Sequence, residues 1–253
     1  MLITIKTNKQ GLLFYVYELN NLLSYKSIYI KMCGRFSFVV KKEKVIKQFP
    51  NIEIQGKLLE NYNVAPTQKA YVITNKQPNV LQTMQWGLIP HWSKDGKGSG
   101  ALINARMETI GEKPSFREPI RSQRCLVLAD SFYEWKTVNS KKIPYRIVMP
   151  NDELMIFAGI YDEWEGVKTF SIITTEPNEE MSKLHTRMPV ILKGGAADYE
   201  KWLGDTDLSI ILKMSEQPKV NFLHIYRVSE KVNSVKNNCE DLHLEIPEEL
   251  TLF

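Results

Sequence analysis

The stretch Leu126-Val127-Leu128-Ala129-Asp130-Ser131-Phe132-Tyr133-Glu134-Trp135 decides how this sequence is read. With Cys125 before it, it forms an almost continuous apolar run, which predicts a buried strand over Cys125–Trp135. Strand alternation sets Leu126, Leu128, Phe132 and Glu134 on one face. A carboxylate then points where leucines and a phenylalanine point. Burial of that kind raises a carboxyl pKa, the property a proton shuttle needs. The pattern alone leaves a second reading of equal weight, a strand-end glutamate that bends into water.

The segments on either side extend the sheet. Tyr145–Met149, Met155–Tyr161 and Thr169–Thr175 follow at hairpin spacing, and Met188–Leu192 and Phe222–Val228 read as later strands. Upstream, Arg35–Val40 reads as a strand, as do Ala70–Thr74 and Val80–Trp86 around the turn residues Asn75–Asn79. Helical patterns cover Lys41–Phe49, with Val45, Ile46 and Phe49 on one face, then Pro177–Leu184, Ala196–Leu203 and Leu208–Met214. Strands dominate and cluster in the middle. The expectation is an α+β fold: a single compact domain with a strand-rich, barrel-like antiparallel core and peripheral helices.

Composition excludes several classes. At 253 residues and 43% hydrophobic content the chain can bury a sizeable core, so it is neither disordered nor fibrous. Its net charge is +4, of which residues 1–31 carry +3 through four lysines against Glu18. A nucleic-acid partner would therefore need a local basic groove rather than a global field. Cys33, Cys125 and Cys239 are odd in number and far apart, so neither a disulfide framework nor a zinc knuckle is expected, and a reducing, cytoplasmic setting fits. His91, His185, His224 and His243 lack metal-ligand spacing, so no metal is expected. No apolar run reaches the roughly 20 residues of a membrane helix. Leu12–Tyr17 is too short for a signal sequence and is followed by Glu18. The loop Asp95-Gly96-Lys97-Gly98-Ser99-Gly100 lacks the ending of a phosphate-binding loop, and no cofactor is expected. Nothing demands a dimer, and a monomer is expected.

Other polar residues offer two readings each. His185 and Arg187 share a face if their segment is extended, and a guanidinium beside an imidazole favours its neutral form, suited to acid–base work. The plain alternative is a surface-loop histidine. Asn104-Ala105-Arg106 reads as a helix N-cap followed by a helical turn through Ile110. Cys33 beside Gly34 reads as an inert buried thiol, the usual fate of a lone cysteine. Trp92, among Pro90, His91 and Ser93, is the tryptophan best placed for an exposed stacking platform.

These segments, in order, resemble the SRAP family of SOS-response-associated peptidases and abasic-site processing proteins. The matching stretches are Met32-Cys33-Gly34-Arg35-Phe36, Tyr62-Asn63-Val64-Ala65-Pro66, Trp86-Gly87-Leu88-Ile89-Pro90 with Trp92, and Ile103-Asn104-Ala105-Arg106-Met107-Glu108-Thr109. They continue with Phe132-Tyr133-Glu134-Trp135-Lys136, His185-Thr186-Arg187-Met188-Pro189 and Val232-Asn233-Ser234-Val235-Lys236-Asn237. Each is weak alone; seven in sequence are specific. The resemblance implies a compact α/β domain that binds single-stranded DNA and crosslinks covalently to abasic sites. The reactive residue would be Cys33, exposed as the N-terminus once Met32 is removed. Asn104, Glu134 and His185 would complete the active site. Arg35, Arg106 and Arg187 would contact DNA, joined by Asn63, Pro66, Trp92 and Trp135 from the same motifs. No metal or cofactor is implied.

The sequence departs from that pattern by starting 31 residues before Met32. Three explanations stay open: translation begins at Met32, the extension is removed by self-cleavage, or it is retained in an inactive or merely DNA-binding protein. The adopted expectation is that residues 1–31 are not part of the mature protein. Residues 32–253 then form the SRAP domain, matched to about residue 242 with an acidic tail after it. Abasic-site crosslinking is the leading functional expectation, with a cysteine-type autopeptidase and a non-catalytic single-stranded-DNA module as its rivals.

Overall fold

The structure is a computed structural model that describes residues 4–7, 13–16, 34–96, 102–216 and 222–247, the first two segments and Asp152 by backbone alone. Cys33, the Lys97–Gly100 part of the glycine-rich loop and the end of the acidic tail lie outside the described residues. The chain divides into two compact units, Met1–Lys31 and Met32–Phe253. Within the first, β1 (Thr4–Thr7) pairs antiparallel with β2 (Leu13–Val16), Thr4 opposite Val16. The sequence showed no period here because four-residue strands are too short to display one.

The second unit runs β3 (Phe36–Phe38), α1 (Lys42–Gln48), β4 (Asn61–Val64), β5 (Lys69–Thr74), β6 (Gln77–Trp86), β7 (Asn104–Arg106), α2 (Pro119–Ser122), β8 (Arg124–Ala129) and β9 (Ser131–Val138). It continues with β10 (Lys141–Val148), β11 (Met155–Trp164), β12 (Val167–Thr175), α3 (Glu179–Ser182), β13 (Met188–Pro189), α4 (Ala196–Leu203), α5 (Leu208–Lys213) and β14 (His224–Arg227). One sheet closes into a ring of five strands, β5–β6–β12–β11–β8 and back to β5. The second is an open antiparallel sheet in the order β14-β10-β9-β3-β4. The expected barrel-like core is present. Its pairings are antiparallel except where β12 meets β6 and β7 in parallel, which needs the long connections found there.

The run Cys125–Trp135 is two strands rather than one. β8 belongs to the barrel and β9 to the open sheet, with Asp130 at the handover. The Asp130 N–H donates to the Ser37 carbonyl at 3.1 Å. Its Oδ1 accepts the Val39 N–H at 2.7 Å, and its Oδ2 accepts Arg146 Nη2 at 2.7 Å. Changing sheets resets the alternation. Leu126 and Leu128 face an outer core, whereas Phe132 faces an inner one.

The outer core packs Ile73, Leu126, Leu128 and Ile156 against Val45 of α1, Trp202 of α4 and Ile211 of α5. Ile46, expected to share the face of Val45, is 40% exposed. The inner core joins Trp86, Val127, Phe157 and Phe170 of the barrel to Phe36, Phe132 and Ile147 of the open sheet. It has no spare room at Gly159, where an added Cβ would lie 2.8 Å from Cys125 Sγ and 2.9 Å from Val127 Cγ2. Burial there pushes the Cys125 thiol far up, so that cysteine is inert. No helix among the described residues is long and apolar enough to cross a membrane.

Candidate active site

Glu134 lies two residues beyond Phe132 on β9, and only 2% of its side chain is exposed. The neighbouring strand fixes what stands across from it. Phe36 pairs with Phe132 and Ser37 with Ser131, and the Tyr133 N–H donates to the Arg35 carbonyl at 2.9 Å. One step further in that register, Gly34 falls opposite Glu134. Gly34 is the residue covalently attached to Cys33.

His185 approaches the same carboxylate. Asn178 caps α3 by accepting the Met181 N–H at 3.0 Å, and the helix ends with the His185 N–H on the Met181 carbonyl at 2.8 Å. His185 Nε2 then stands 4.0 Å from Glu134 Oε2, with 9% of the histidine side chain exposed. That is an ion-pair distance, too long for a direct hydrogen bond. On its other edge, His185 Nδ1 is 3.2 Å from both the N–H and the carbonyl oxygen of Arg187. A neutral imidazole can accept from the first and an imidazolium can donate to the second, so the ring is held in either protonation state.

The guanidinium of Arg187 points elsewhere. Nη1 and Nη2 donate to Glu108 Oε1 and Oε2 at 2.7 and 2.8 Å, and Nη2 also reaches the Thr174 carbonyl at 2.8 Å. Partial burial raises the Glu108 carboxyl, but the Arg187 hydrogen bonds, a backbone hydrogen bond and the charges of Arg187 and Arg106 together outweigh it and hold the group below its usual range. The anticipated imidazole–guanidinium pairing is thus replaced: the imidazole meets Glu134 and the guanidinium meets Glu108. Glu108 was not singled out from the sequence, and no periodicity marks it.

Asn104 is not an N-cap. Residues 104–106 form β7, parallel to β12, with Asn104 opposite Ile172 and Arg106 opposite Thr174. The helical residue types after Asn104 yield to tertiary pairing, and only a 3₁₀ turn over Met107–Thr109 remains. Arg106 is exposed. Glu134, His185, Arg187, Asn104 and Arg106 thereby come from three separate segments, the last three gathered at the Thr174 end of β12.

A second cluster surrounds Arg35. Its Nη1 donates to Asn63 Oδ1 at 2.7 Å and to the Val232 carbonyl at 2.8 Å, and its guanidinium carbon lies 6.0 Å from the Trp135 ring centre. Burial lowers its pKa below the ordinary guanidinium value, with Tyr133 acting the other way. Asn63 is 1% exposed, and its Nδ2 approaches the carbonyls of Val232, Ser234 and Asn237 at 3.3, 3.0 and 2.9 Å. As a direct DNA contact Asn63 is therefore corrected: its polar atoms hold the Val232–Asn237 turn. Trp135 Nε1 donates to Asn233 Oδ1 at 2.7 Å on the same turn.

Pro66 precedes Thr67, whose φ of +74° is unusual for a β-branched residue, in a turn tied by the Thr67 N–H to the Trp86 carbonyl at 2.8 Å. Trp92 is 55% exposed. Its loop is rigidly held: the His91 N–H and Nδ1 both meet the buried Asp162 carboxylate, at 2.9 and 3.0 Å, and Trp164 Nε1 donates to the Ser93 carbonyl at 2.8 Å. The loop joins β12 through the Ile89 N–H on Thr169 Oγ1, five residues from Thr174. That is about 16 Å along the strand. The Trp92 loop is thus anchored at Thr169, away from the Thr174 end of β12 where Arg106 and Arg187 lie. A cavity of about 540 Å³ lined by Phe49, Tyr199 and Leu203 is not lined by Glu134 or His185. Among the described residues no group of three or more His, Cys, Asp or Glu could hold a metal ion.

A closed five-stranded barrel carrying a second sheet, with a buried carboxylate facing an imidazole, defines an α+β protein equipped for proton transfer. The profile of the SOS response associated peptidase (SRAP) family matches residues 32–235, and the chain belongs to that family. Abasic site processing protein YoqW of Bacillus subtilis (strain 168) is 44% identical over 223 residues, covering 83% of this chain and 98% of YoqW. Abasic site processing protein HMCES of Gallus gallus is 31% identical over 245 residues, covering 81% of this chain and 73% of HMCES. A crystal structure of a protein from Bacteroides thetaiotaomicron aligns with a TM-score of 0.71 at 32% identity, over 79% of this chain and 93% of that one.

Proposed function

We propose that this protein processes abasic sites in single-stranded DNA by crosslinking itself to them through Cys33, exposed as the N-terminus after residues 1–31 and Met32 are gone. The observation that carries the reading is the Glu134–His185 pair across from Gly34, the neighbour of Cys33. An abasic deoxyribose is mostly a closed hemiacetal. His185 protonates the ring oxygen, the bond from that oxygen to the anomeric carbon breaks, and the anomeric hydroxyl gives up its proton to solvent, leaving the open aldehyde. The α-amine adds to the aldehyde carbon, water leaves, and an imine forms. The thiol sulfur then adds across the C=N bond and its proton ends on the nitrogen, closing a five-membered thiazolidine. One water is lost overall and nothing is oxidised or reduced. An α-amine pKa near about 8 and a thiol pKa near about 8.5 leave useful fractions of both reactive forms at neutral pH. Glu134 takes the proton that the amine sheds, and Asn104 holds the adduct by hydrogen bonds. Exposed Arg106 meets a phosphate, and Trp92 stacks on a base farther along the strand.

A second reading is favoured by the residues that precede Cys33: its thiol attacks the Met32 carbonyl, the Met32–Cys33 amide breaks to leave a thioester and a free α-amine, and water hydrolyses the thioester to release residues 1–32, with Glu134 and His185 moving the protons. One denaturing gel tests both. The full chain, and separately the chain beginning at Cys33, are incubated with a single-stranded oligonucleotide carrying one abasic site. A heat-stable shifted band for the Cys33 form alone is expected. A shift for both, with intact mass showing loss of residues 1–32, supports self-cleavage. No shift for either form refutes the crosslinking reading.

A further inference from the structure

We infer that Glu108 is a positioning residue that, through Arg187, sets the His185 imidazole for the reaction proposed above, on which the inference rests. Glu108 sits on the 3₁₀ turn that follows β7, pinned beneath by Met107, which is 5% exposed. Both of its carboxylate oxygens hold Arg187, and the Arg187 guanidinium also grips the main chain of β12 at Thr174. With its side chain anchored at two places, Arg187 has little freedom in its backbone. That backbone supplies both groups within 3.2 Å of His185 Nδ1. The opposite ring nitrogen is the one that faces Glu134. Three links therefore run from a half-exposed carboxylate to the buried imidazole: carboxylate to guanidinium, side chain to main chain, main chain to ring.

The same geometry argues against Arg187 as an open phosphate clamp. Its two terminal nitrogens already carry a bidentate carboxylate, and its Nε is buried without a hydrogen-bond partner among the described residues. A phosphate bound to both terminal nitrogens would have to displace Glu108, which remains charged at neutral pH. Bidentate guanidinium–carboxylate pairs are geometrically exacting, so the pair suits orientation better than exchange.

The test is a double-mutant cycle in whichever of the two forms above gives the adduct. Single-turnover adduct rates and the Kd for an intact single-stranded oligonucleotide are measured for the parent, Glu108→Gln, His185→Ala and the double variant. Misplacing a reacting group slows chemistry steeply, so Glu108→Gln is expected to slow adduct formation about ten- to a hundredfold. Its Kd should stay within about twofold, and in the His185→Ala background its further slowing should also stay within about twofold, the non-additivity of residues acting as one unit. Glu108→Asp keeps the charge and should recover part of the rate; it also carries the cycle if Glu108→Gln folds poorly. Equal slowing in both backgrounds overturns the inference, as does a Kd loss that matches the rate loss. A parent protein that forms no adduct overturns the proposed function, and the inference falls with it.

Discussion

Replacing Asn63 by alanine removes the amide that holds the Val232–Asn237 turn. Its Nδ2 has two protons and three carbonyl neighbours, so it makes about two hydrogen bonds' worth of contact. At about 0.5–1.5 kcal/mol net for each, these contribute about 1–3 kcal/mol. The Oδ1 contact with Arg35 is charge-assisted, but Arg35 keeps its second acceptor at Val232, so only the low end of such a bond is lost. The total is about 3 kcal/mol, and at 1% exposure water cannot replace what is removed. That energy makes local opening of the turn about a hundredfold more frequent. The amides of Val232, Ser234 and Asn237 are suitable reporters because each is hydrogen-bonded locally, to the carbonyls of Ser229, Lys231 and Ser234. Native-state hydrogen exchange should show those three amides exchanging about a hundredfold faster in Asn63→Ala. Barrel amides such as that of Ala158 should change no more than global stability requires. Exchange within about threefold of the parent would refute the assignment of Asn63 as a brace.

Three further outcomes follow from the same structure. Trp92→Ala should weaken binding of intact single-stranded DNA by about 1–3 kcal/mol in filter binding without altering Tm, since the ring is mostly exposed; unchanged affinity would remove it from the interface. Burial over the Phe222 ring pulls the Lys193 ammonium down to about 8, against the pull of Glu180 and Asp198, so the folded protein sheds this proton before the unfolded chain does. Stability should therefore rise as pH climbs from about 8 towards 10.5, and Lys193→Met should abolish that rise; parallel Tm–pH curves would contradict this. Gly159→Ala should lower stability by about 1–3 kcal/mol in urea titrations, because its methyl group meets Cys125 Sγ, Val127 Cγ2 and the Ser171 carbonyl; a neutral substitution would mean the barrel interior has slack.

Strand positions were legible in the sequence because apolar runs of that length have few alternatives. The handover at Asp130 was not, since a run of buried residues looks the same whether it stays in one sheet or crosses to another. Only the lone acid inside the run marks the place. Glu134 was correctly set on the face of Phe132, which needed nothing beyond local alternation. Its meeting with His185, fifty-one residues later, depends on how the open sheet lies against α3, and no local pattern encodes that. Arg187 was drawn to the imidazole by nearness in sequence, whereas bidentate geometry gave it to Glu108 instead. Asn104 was misread because good helix formers follow it, and a parallel strand pairing outweighed their preference. Asn63 was selected for its motif, and only burial reveals that it braces a turn.

The ring of strands also sets a timetable for the nascent chain. β6 ends at Trp86, but the stretch of β12 that pairs with it, Thr169–Phe170, is synthesised 84 residues later. At about 5–20 residues per second the ribosome takes about 4–17 s to deliver it. β5 and β6 can meet at once as a hairpin, and β8 can add to β5, but the cylinder stays slit along one side of β6 throughout that interval. An open strand edge invites pairing with other chains, so this is the window in which a chaperone matters most. A ribosome paused between residues 87 and 168 would hold a half-built cylinder, with His185 not yet synthesised.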